Sequence, residues 1–480
     1  MYENQAPFTS CHAGMKKTLA PTRRLAAAAA ATTATFVGIT LGLAQPARAV
    51  EVTQTADPSI ASAVRAISAA RVQADIEKLV SFGTRSTLSA QDPASISAGR
   101  GIGAAREWLK SQFEAYSREC GGCLEVKTDE FVQPVGPRIP QPTPLTNVYA
   151  VLKGTDPEAA KRIVLVTGHY DSRNTNVLDP SGAAPGANDD ASGAAVSLES
   201  ARALSKLKFR ATLIFLTVAG EEQGLDGAKH FAQMAKQAGW NIEAALDDDI
   251  VGGDRSPGQD AKIVRVFSEG LPSAADEQQL RVIRGLGGES DSNSREVARY
   301  VTEVAGAYSP GVKPMLIFRL DRYLRGGDHS AFNEQGFAAV RFTEYRENFD
   351  HQHQDLRTEK GIEFGDTLKF VDFDYVARVG RLNALTLAAL AAAPAPPTAV
   401  KVVVSNFDNN TTLKWGASEG ASGYEVVWRD TSAPNWEHVK SVGDTTTTTL
   451  DISKDNVIFA VRAVDKAGHR SLPVVPDPER

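Results

Sequence analysis

The sequence predicts an α/β fold, a mostly parallel central sheet sandwiched by helices, followed by a C-terminal all-β sandwich. Three observations carry this. Between residues 145 and 345, apolar, β-rich runs of strand length alternate with helical patterns. Those runs are apolar along their whole length, as strands covered on both faces are. At Ala393-Pro394-Ala395-Pro396-Pro397 the composition breaks, and only short strand patterns follow.

The elements follow in order. From Met15 the chain has a basic start, a long small-apolar stretch and the small-x-small motif Ala47-Arg48-Ala49. That pattern predicts a cleaved signal peptide over 1–49, with Met15 the better start. The mature protein is then secreted or periplasmic, with no membrane span once the leader is removed. Arg23-Arg24 hints at twin-arginine export, although its flanks match that signal poorly. Residues 58–82 and 99–117 carry apolar side chains at three- and four-residue spacing, which predicts amphipathic helices.

NVYAVLKG (147–154), RIVLVTG (162–168), ATLIFLTVAG (211–220), AKIVRVF (261–267) and AAVRFTE (338–344) read as buried strands. GAAVSLESARALSKL (193–207) and GAKHFAQMAKQ (227–237) read as helices between them. The α/β region is thus 50–392, the linker 393–399 and the last domain 400–480. Short strands at 400–406, 411–418, 423–430, 445–452 and 457–471 predict a sandwich there. Trp415, GYEVVW and FAVRAVDKAGHRS resemble a fibronectin type III domain, whose usual role implies a spacer or a surface or polysaccharide contact.

Of 480 residues, 42% are hydrophobic and 23% charged, as in soluble globular proteins. A net charge of -6 carries no basic footprint, so no nucleic-acid partner is expected. Three cysteines are too few for a disulfide framework. Cys120-Gly-Gly-Cys123 follows a helical stretch, so in an exported chain it reads as a disulfide closing a turn.

The chemistry lies at strand ends, where open α/β sheets gather ligands. RIVLVTG runs into His169-Tyr170-Asp171, ATLIFLTVAG into Glu221-Glu222, IEAAL into Asp247-Asp248-Asp249, and AAVRFTE toward NFDHQHQD with His351 and His353. Between the first strand and its helix lies GANDDASG (186–193), with Asn188, Asp189 and Asp190 side by side. Singly, each cluster reads as a cap, a loop or a solvated face. Together, at corresponding ends of successive strands, they read as a cation site. Histidines and carboxylates without cysteine suit catalytic zinc. Asp171, two residues after His169, faces the same way in extended chain and can hold the imidazole's other nitrogen. Adjacent glutamates can divide the work, one binding metal and the other serving as base.

HYD, NDDASG, GEEQGLDGAKHFA, DIVG, GGDHSAFNEQGFAAVRFTE and HQHQD closely resemble, in that order, the secreted di-zinc aminopeptidases of metallopeptidase family twenty-eight. The resemblance covers residues 60–392. It implies two Zn2+ ions held by His169, Asp189, Glu222, Asp249 and His351, with Asp189 bridging. It also implies Glu221 as general base toward a metal-bridged water, Asp171 supporting His169, and a cis peptide after Asp189. His351 is preferred to His353 because His351 with Asp355 keeps the family's H-T-x-x-D spacing. The family's tyrosine ahead of that histidine is Asp350 here, and Tyr323 or Tyr345 would have to replace it. Asp328 is expected to cap a helix and Asp190 to support the turn.

The resemblance implies hydrolysis of the N-terminal residue from peptides or proteins with free N-termini. Manganese or cobalt would also suit these ligands. A di-zinc carboxypeptidase or deacylase uses a similar ligand set, but GGDHSAF and the strand after it favour the aminopeptidase. A non-catalytic, receptor-like relative would have lost ligands that this chain keeps.

Overall fold

The computed structural model describes residues 52–405 and 407–479. The leader read at 1–49 therefore lies outside the described residues. The two periodic stretches fold into α1 (Pro58–Val64) with α2 (Ala69–Val80), and α4 (Gly101–Glu119), while a short α3 (Pro93–Ser97) lies between them. α1 begins where Asp57 accepts from the amides of Ser59 and Ile60, with proline in its first turn. α2 buries Val72, Ile76 and Leu79, one stripe at helical spacing. Cys120 caps the end of α4 and is disulfide-bonded to Cys123, as expected.

The central sheet has eight strands: β1 (Leu124–Gln133), β2 (Thr143–Leu152), β3 (Arg162–His169), β4 (Thr212–Val218), β5 (Asn241–Asp248), β6 (Ile263–Ser268), β7 (Lys313–Ile317) and β8 (Ala339–Glu344). Their order is β1-β2-β4-β3-β5-β8-β6-β7. β4, β3, β5 and β8 are mutually parallel, whereas β1 and β2 form an antiparallel edge and β6 runs against β8. The remaining helices are α5 (Ala191–Leu204), α6 (Glu221–Gly224), α7 (Asp226–Gln237), α8 (Glu277–Leu286), α9 (Asn293–Tyr308), α10 (His329–Glu334) and α11 (Phe373–Ala392).

The continuous apolar runs are explained by two cores, one on each face of the sheet. Val164 and Val166 of β3 and Leu213 and Phe215 of β4 pack with α2, α4, α5, α9 and α11. Ile163 and Leu165, with Ile214 and Leu216, face the opposite way, toward α7 and α10. α5 comes unusually close to the sheet. A Cβ on Gly193 would lie 2.0 Å from the Asp248 carbonyl oxygen, and one on Gly168 would lie 2.5 Å from the Gly193 carbonyl carbon. The small residues around Asp189 and Asp190 permit that approach.

After the short hairpin β9 (Arg357–Glu359) and β10 (Ile362–Phe364), α11 closes the α/β part at Ala392. The C-terminal part is all-β: β11 (Thr398–Val403), β12 (Thr411–Gly416), β13 (Gly423–Asp430), β14 (His438–Gly443), β15 (Thr447–Leu450), β16 (Val457–Val464) and β17 (Asp477–Glu479). Two sheets, β15-β12-β11-β17 and β14-β13-β16, share a core of Val400, Leu413 and Trp415 against Tyr424, Val426, Phe459 and Val461. This sandwich packs on α9, where Trp436 Nε1 donates to Glu296 at 3.0 Å and Arg462 donates to Glu303 at 2.7 Å. Among the described residues, no helix is long and apolar enough to cross a membrane.

Candidate metal centre

The carboxyl edge of the parallel strands gathers the predicted side chains. His169 ends β3, Glu221 and Glu222 open α6 after β4, Asp249 follows β5, and a turn at 349–353 follows β8. Asp189 stands just ahead of α5. It is buried, and its two oxygens face different partners. Oδ1 lies 3.1 Å from His169 Nε2, while Oδ2 lies 2.9 Å from His353 Nε2. On the first side Asp249 Oδ1 is 3.9 Å from His169 Nε2. On the second, Glu222 Oε1 is 3.1 Å from His353 Nε2. Two groups thus share one carboxylate: His169, Asp189 and Asp249, and Asp189, Glu222 and His353.

The histidine from the last loop is a correction. His353, not His351, joins the carboxylates. His351 Nδ1 instead pairs with Asp254, and its ring stacks on Phe370 with centroids 3.5 Å apart. Linear spacing misleads here because the chain turns: the amides of His351 and Gln352 both donate to the Asn348 carbonyl. His353 leaves that turn in the left-handed region, at φ +53°. Asp355, which had favoured His351, makes reciprocal bonds with Thr175.

Asp171 takes the expected place beside His169. Its carbonyl oxygen and Oδ1 lie 3.2 and 3.4 Å from Nδ1, leaving Nε2 toward Asp189. Asp171 also accepts from the amides of Glu221 and Glu222 and from the Thr87 hydroxyl. One buried carboxylate therefore fixes both a ring and the start of α6. Asp190 supports the turn as expected. It accepts from the amides of His169, Gly193 and Ile250, tying β3, α5 and the end of β5 together. The Asp189–Asp190 peptide is cis.

Other positioning groups have no sequence signal of their own. Asp366 accepts from the amides of Asn188 and Asp189 at 2.8 and 2.7 Å. The fully buried Arg341 holds Asp249 Oδ2 at 3.0 Å and Asp321 at 3.0 Å. Asp328 does not cap α10. Its side chain makes no cap bond, and both its oxygens are buried without hydrogen-bond partners. His329 is no part of the cluster, and bonds Asp247 and the Leu320 carbonyl.

Too many acids are buried here for the cations present. Burial pushes the Glu221 carboxyl well above its ordinary range, with Asp249, Glu222 and Asp189 adding to the rise and His169 opposing it. Asp249 is lifted to about 7 by burial, against the pull of Arg341 and His169. Burial disfavours a charged His353, yet Glu222 and Asp189 raise it to about 11. His169 Nε2 and Glu222 Oε1 are buried without hydrogen-bond partners. Orphaned donor atoms of this kind, in a cysteine-free set of histidines and carboxylates, fit a divalent cation such as zinc on each side of Asp189.

A cavity of about 710 Å³ opens onto the cluster, with Asp189, Glu221, Glu222, Asp249 and His353 in its wall. Tyr323 and Tyr345 are exposed, at 80% and 38%, and neither lines it.

Residues 147–361 match the family model Peptidase family M28. A "Probable zinc metalloprotease" of Pyrenophora tritici-repentis is 46% identical over 434 residues, covering 89% of this chain and 88% of the relative. The relative so described in Leptosphaeria maculans is 46% identical over 443 residues, covering 91% and 99% of the two chains. Among solved structures, the LapA aminopeptidase of Legionella pneumophila is 19% identical with a TM-score of 0.49, covering 72% of this chain and 77% of its own. On the strength of the extended relatives, this chain belongs to peptidase family M28.

Proposed function

We propose that this chain is an exported, zinc-dependent aminopeptidase that removes the N-terminal residue of peptides and proteins. His169, Asp189 and Asp249 would hold one zinc, and Asp189, Glu222 and His353 the other. The observation that carries this reading is one buried carboxylate, Asp189, shared by two His/carboxylate groups in the wall of a cavity. Zinc bound there would polarise the scissile carbonyl and bring the pKa of water down to about 7.

The chain's own residues do the rest. Glu221 lines the cavity without belonging to either ligand group, which leaves it free to take a proton from the attacking water. It then passes that proton to the nitrogen of the departing amine. With divalent charge beside it, Glu221 returns to the ionised form that a base needs. Asp171 keeps the His169 ring and the Glu221 backbone in place during the exchange.

We further infer that 400–480 is a fibronectin type III domain, supported by its two sheets and the Trp415–Tyr424 pair in their shared core. Export rests on the leader read at 1–49, and a mature N-terminus at Val50 would bear it out. The activity is tested with free-amine and N-acetylated peptides, with and without chelator. Cleavage of only the free-amine set, abolished by chelation, is expected; equal cleavage of blocked peptides would transfer the reading to a deacylase or carboxypeptidase. Glu221→Gln should keep both metals and lose ~10²–10⁴-fold in turnover.

A further inference from the structure

The cavity wall contains cations that the mechanism does not use. Arg138 comes from the β1–β2 loop, Arg173 from the loop after β3, Lys229 from α7, and Arg322 and Arg325 from the segment between β7 and α10. Four separate parts of the chain therefore bring positive charge to one opening. Arg322 and Arg325 both pair with Glu347 at 2.8 Å, Arg322 also pairs with Asp321 at 2.8 Å, and Glu347 also pairs with Arg265. The other three point donors at backbone carbonyls. Arg138 reaches the Glu222 carbonyl at 2.8 Å, Arg173 those of Asn174 and Thr175, and Lys229 that of Gly224 at 2.9 Å. Among the described residues, none of these three forms an ion pair with a carboxylate.

The charge balance then has a consequence. The acids in the wall are Asp189, Glu221, Glu222 and Asp249, four negative charges that two divalent cations would offset. With those four wall acids offset, Arg138, Arg173 and Lys229 remain as the cations of the wall without a carboxylate partner, and charge-assisted bonds to backbone carbonyls leave further N–H donors available for an anion. A cavity of about 710 Å³ is within the range of ligand sites, about 300–1,000 Å³. It therefore holds only a short stretch of peptide, so an anion on the rim must lie close to the scissile bond.

Building on the aminopeptidase reading, we propose that this site selects short peptides carrying a carboxylate near the scissile bond. Arg138, Arg173 and Lys229 bind that carboxylate while the free amine lies over the metal floor. The carboxylate comes either from an acidic side chain or from the C-terminus of a di- or tripeptide.

Four probes decide it: Leu-Ala with a free C-terminus, its amide, Leu-Glu amide and Leu-Gln amide. The expected result is a kcat/KM roughly tenfold higher for the carboxylate member of each pair, the factor that one hydrogen bond to a charged group carries. Preference in the first pair alone assigns the C-terminal carboxylate, and preference in the second assigns the acidic side chain. The advantage should reside in KM and shrink as salt rises, since exposed charges are screened. In Arg173→Ala and Lys229→Ala the ratio within a pair should fall toward one. The charge reversal Arg173→Glu with Lys229→Glu should turn the preference toward Leu-Arg amide. Equal kcat/KM within both pairs for the wild-type chain overturns the proposal while leaving the aminopeptidase reading intact. Cleavage of none of the four sinks the aminopeptidase reading instead. Calorimetric titration of the same peptides into the zinc-loaded protein then decides the anion question, with equal affinity for acid and amide overturning it.

Discussion

Two clusters of buried charge can be compared in this molecule, and they are built on opposite plans. At the junction of α9 and the C-terminal sandwich, acids and arginines match. Arg462 sits between Glu303 and Glu425, Arg470 holds Glu425, Arg299 holds Glu296, and Arg429 holds Asp291. Each carboxylate there has its cation; the Trp436 indole takes the second oxygen of Glu296, and the Gln54 amide shares Glu303 Oε2 with Arg462. At the sheet edge, Asp189, Asp190, Glu221, Glu222, Asp247, Asp249 and Asp328 are assembled around only His169, His329, His353 and Arg341. Four paired charges need nothing more, whereas an uncompensated set costs several kcal/mol per ion and persists because something else supplies the charge. The difference separates cement from socket.

The largest effect should come from the shared carboxylate. Asp189→Ala is expected to empty both metal positions and abolish turnover, while Asp190→Ala only weakens binding, because Asp190 anchors amides rather than facing the groups. Elemental analysis of both variants measures this, and equal metal content would undo the distinction. Next, His353→Ala should lose about half the bound metal, whereas His351→Ala should retain it and show only a lower Tm. The reverse pattern would restore the sequence-spacing assignment.

At the junction, Arg462→Met leaves Glu303 buried without its cation and Glu425 with Arg470 alone, and should cost about 3–5 kcal/mol of stability. Denaturant unfolding would show the loss, and metal content of the folded fraction should be unchanged.

The smallest contrast is in pH. Asp249 is lifted from 3.8 to about 7, so its contribution is fully present below 3.8 and is lost as pH rises toward 7 in metal-free protein. Glu425 runs the other way. Although burial raises it, Arg470 and Arg462 hold it below its ordinary 4.5, so its contribution is present above that value and lost as pH falls further. Melting curves with and without chelator should therefore diverge between pH 4 and 7 and converge in their acid limb. A chelator effect of the same size at every pH would erase the contrast.

How much of this was legible in the sequence follows from the same physics. β3 and β4 were readable because both faces are covered, which demands an unbroken apolar run. β1 escaped because it is a half-exposed edge strand, buried only at Leu124, with charged residues spread along the rest of its length. β2 and β6 were read as strands, but their antiparallel direction was not, since pairing direction leaves little mark on composition. In the site, His169, Glu222 and Asp249 could be found because each lies at a strand end, and Asp189 because it sits beside a second carboxylate in the small-residue run ahead of α5. His353 could not be separated from His351, since the choice depends on how one short turn winds. Asp366 lies 177 residues from Asp189 and acts on its backbone amide, so no local pattern announces it.

The segment that follows the expected leader ends up on the last domain. Val52 packs with Val427, Trp436 and Ala460, the Arg470 guanidinium donates to Thr55 at 2.5 Å, and His469 faces Asp57 at 3.3 Å. The first described residues and the final strands therefore complete each other across more than four hundred positions of chain. Contacts of such sequence separation form late, because loop closure must come first. The protein can thus reach its finished form only when its last strands have been synthesised, and a nascent chain halted before the sandwich would leave its own beginning unattached.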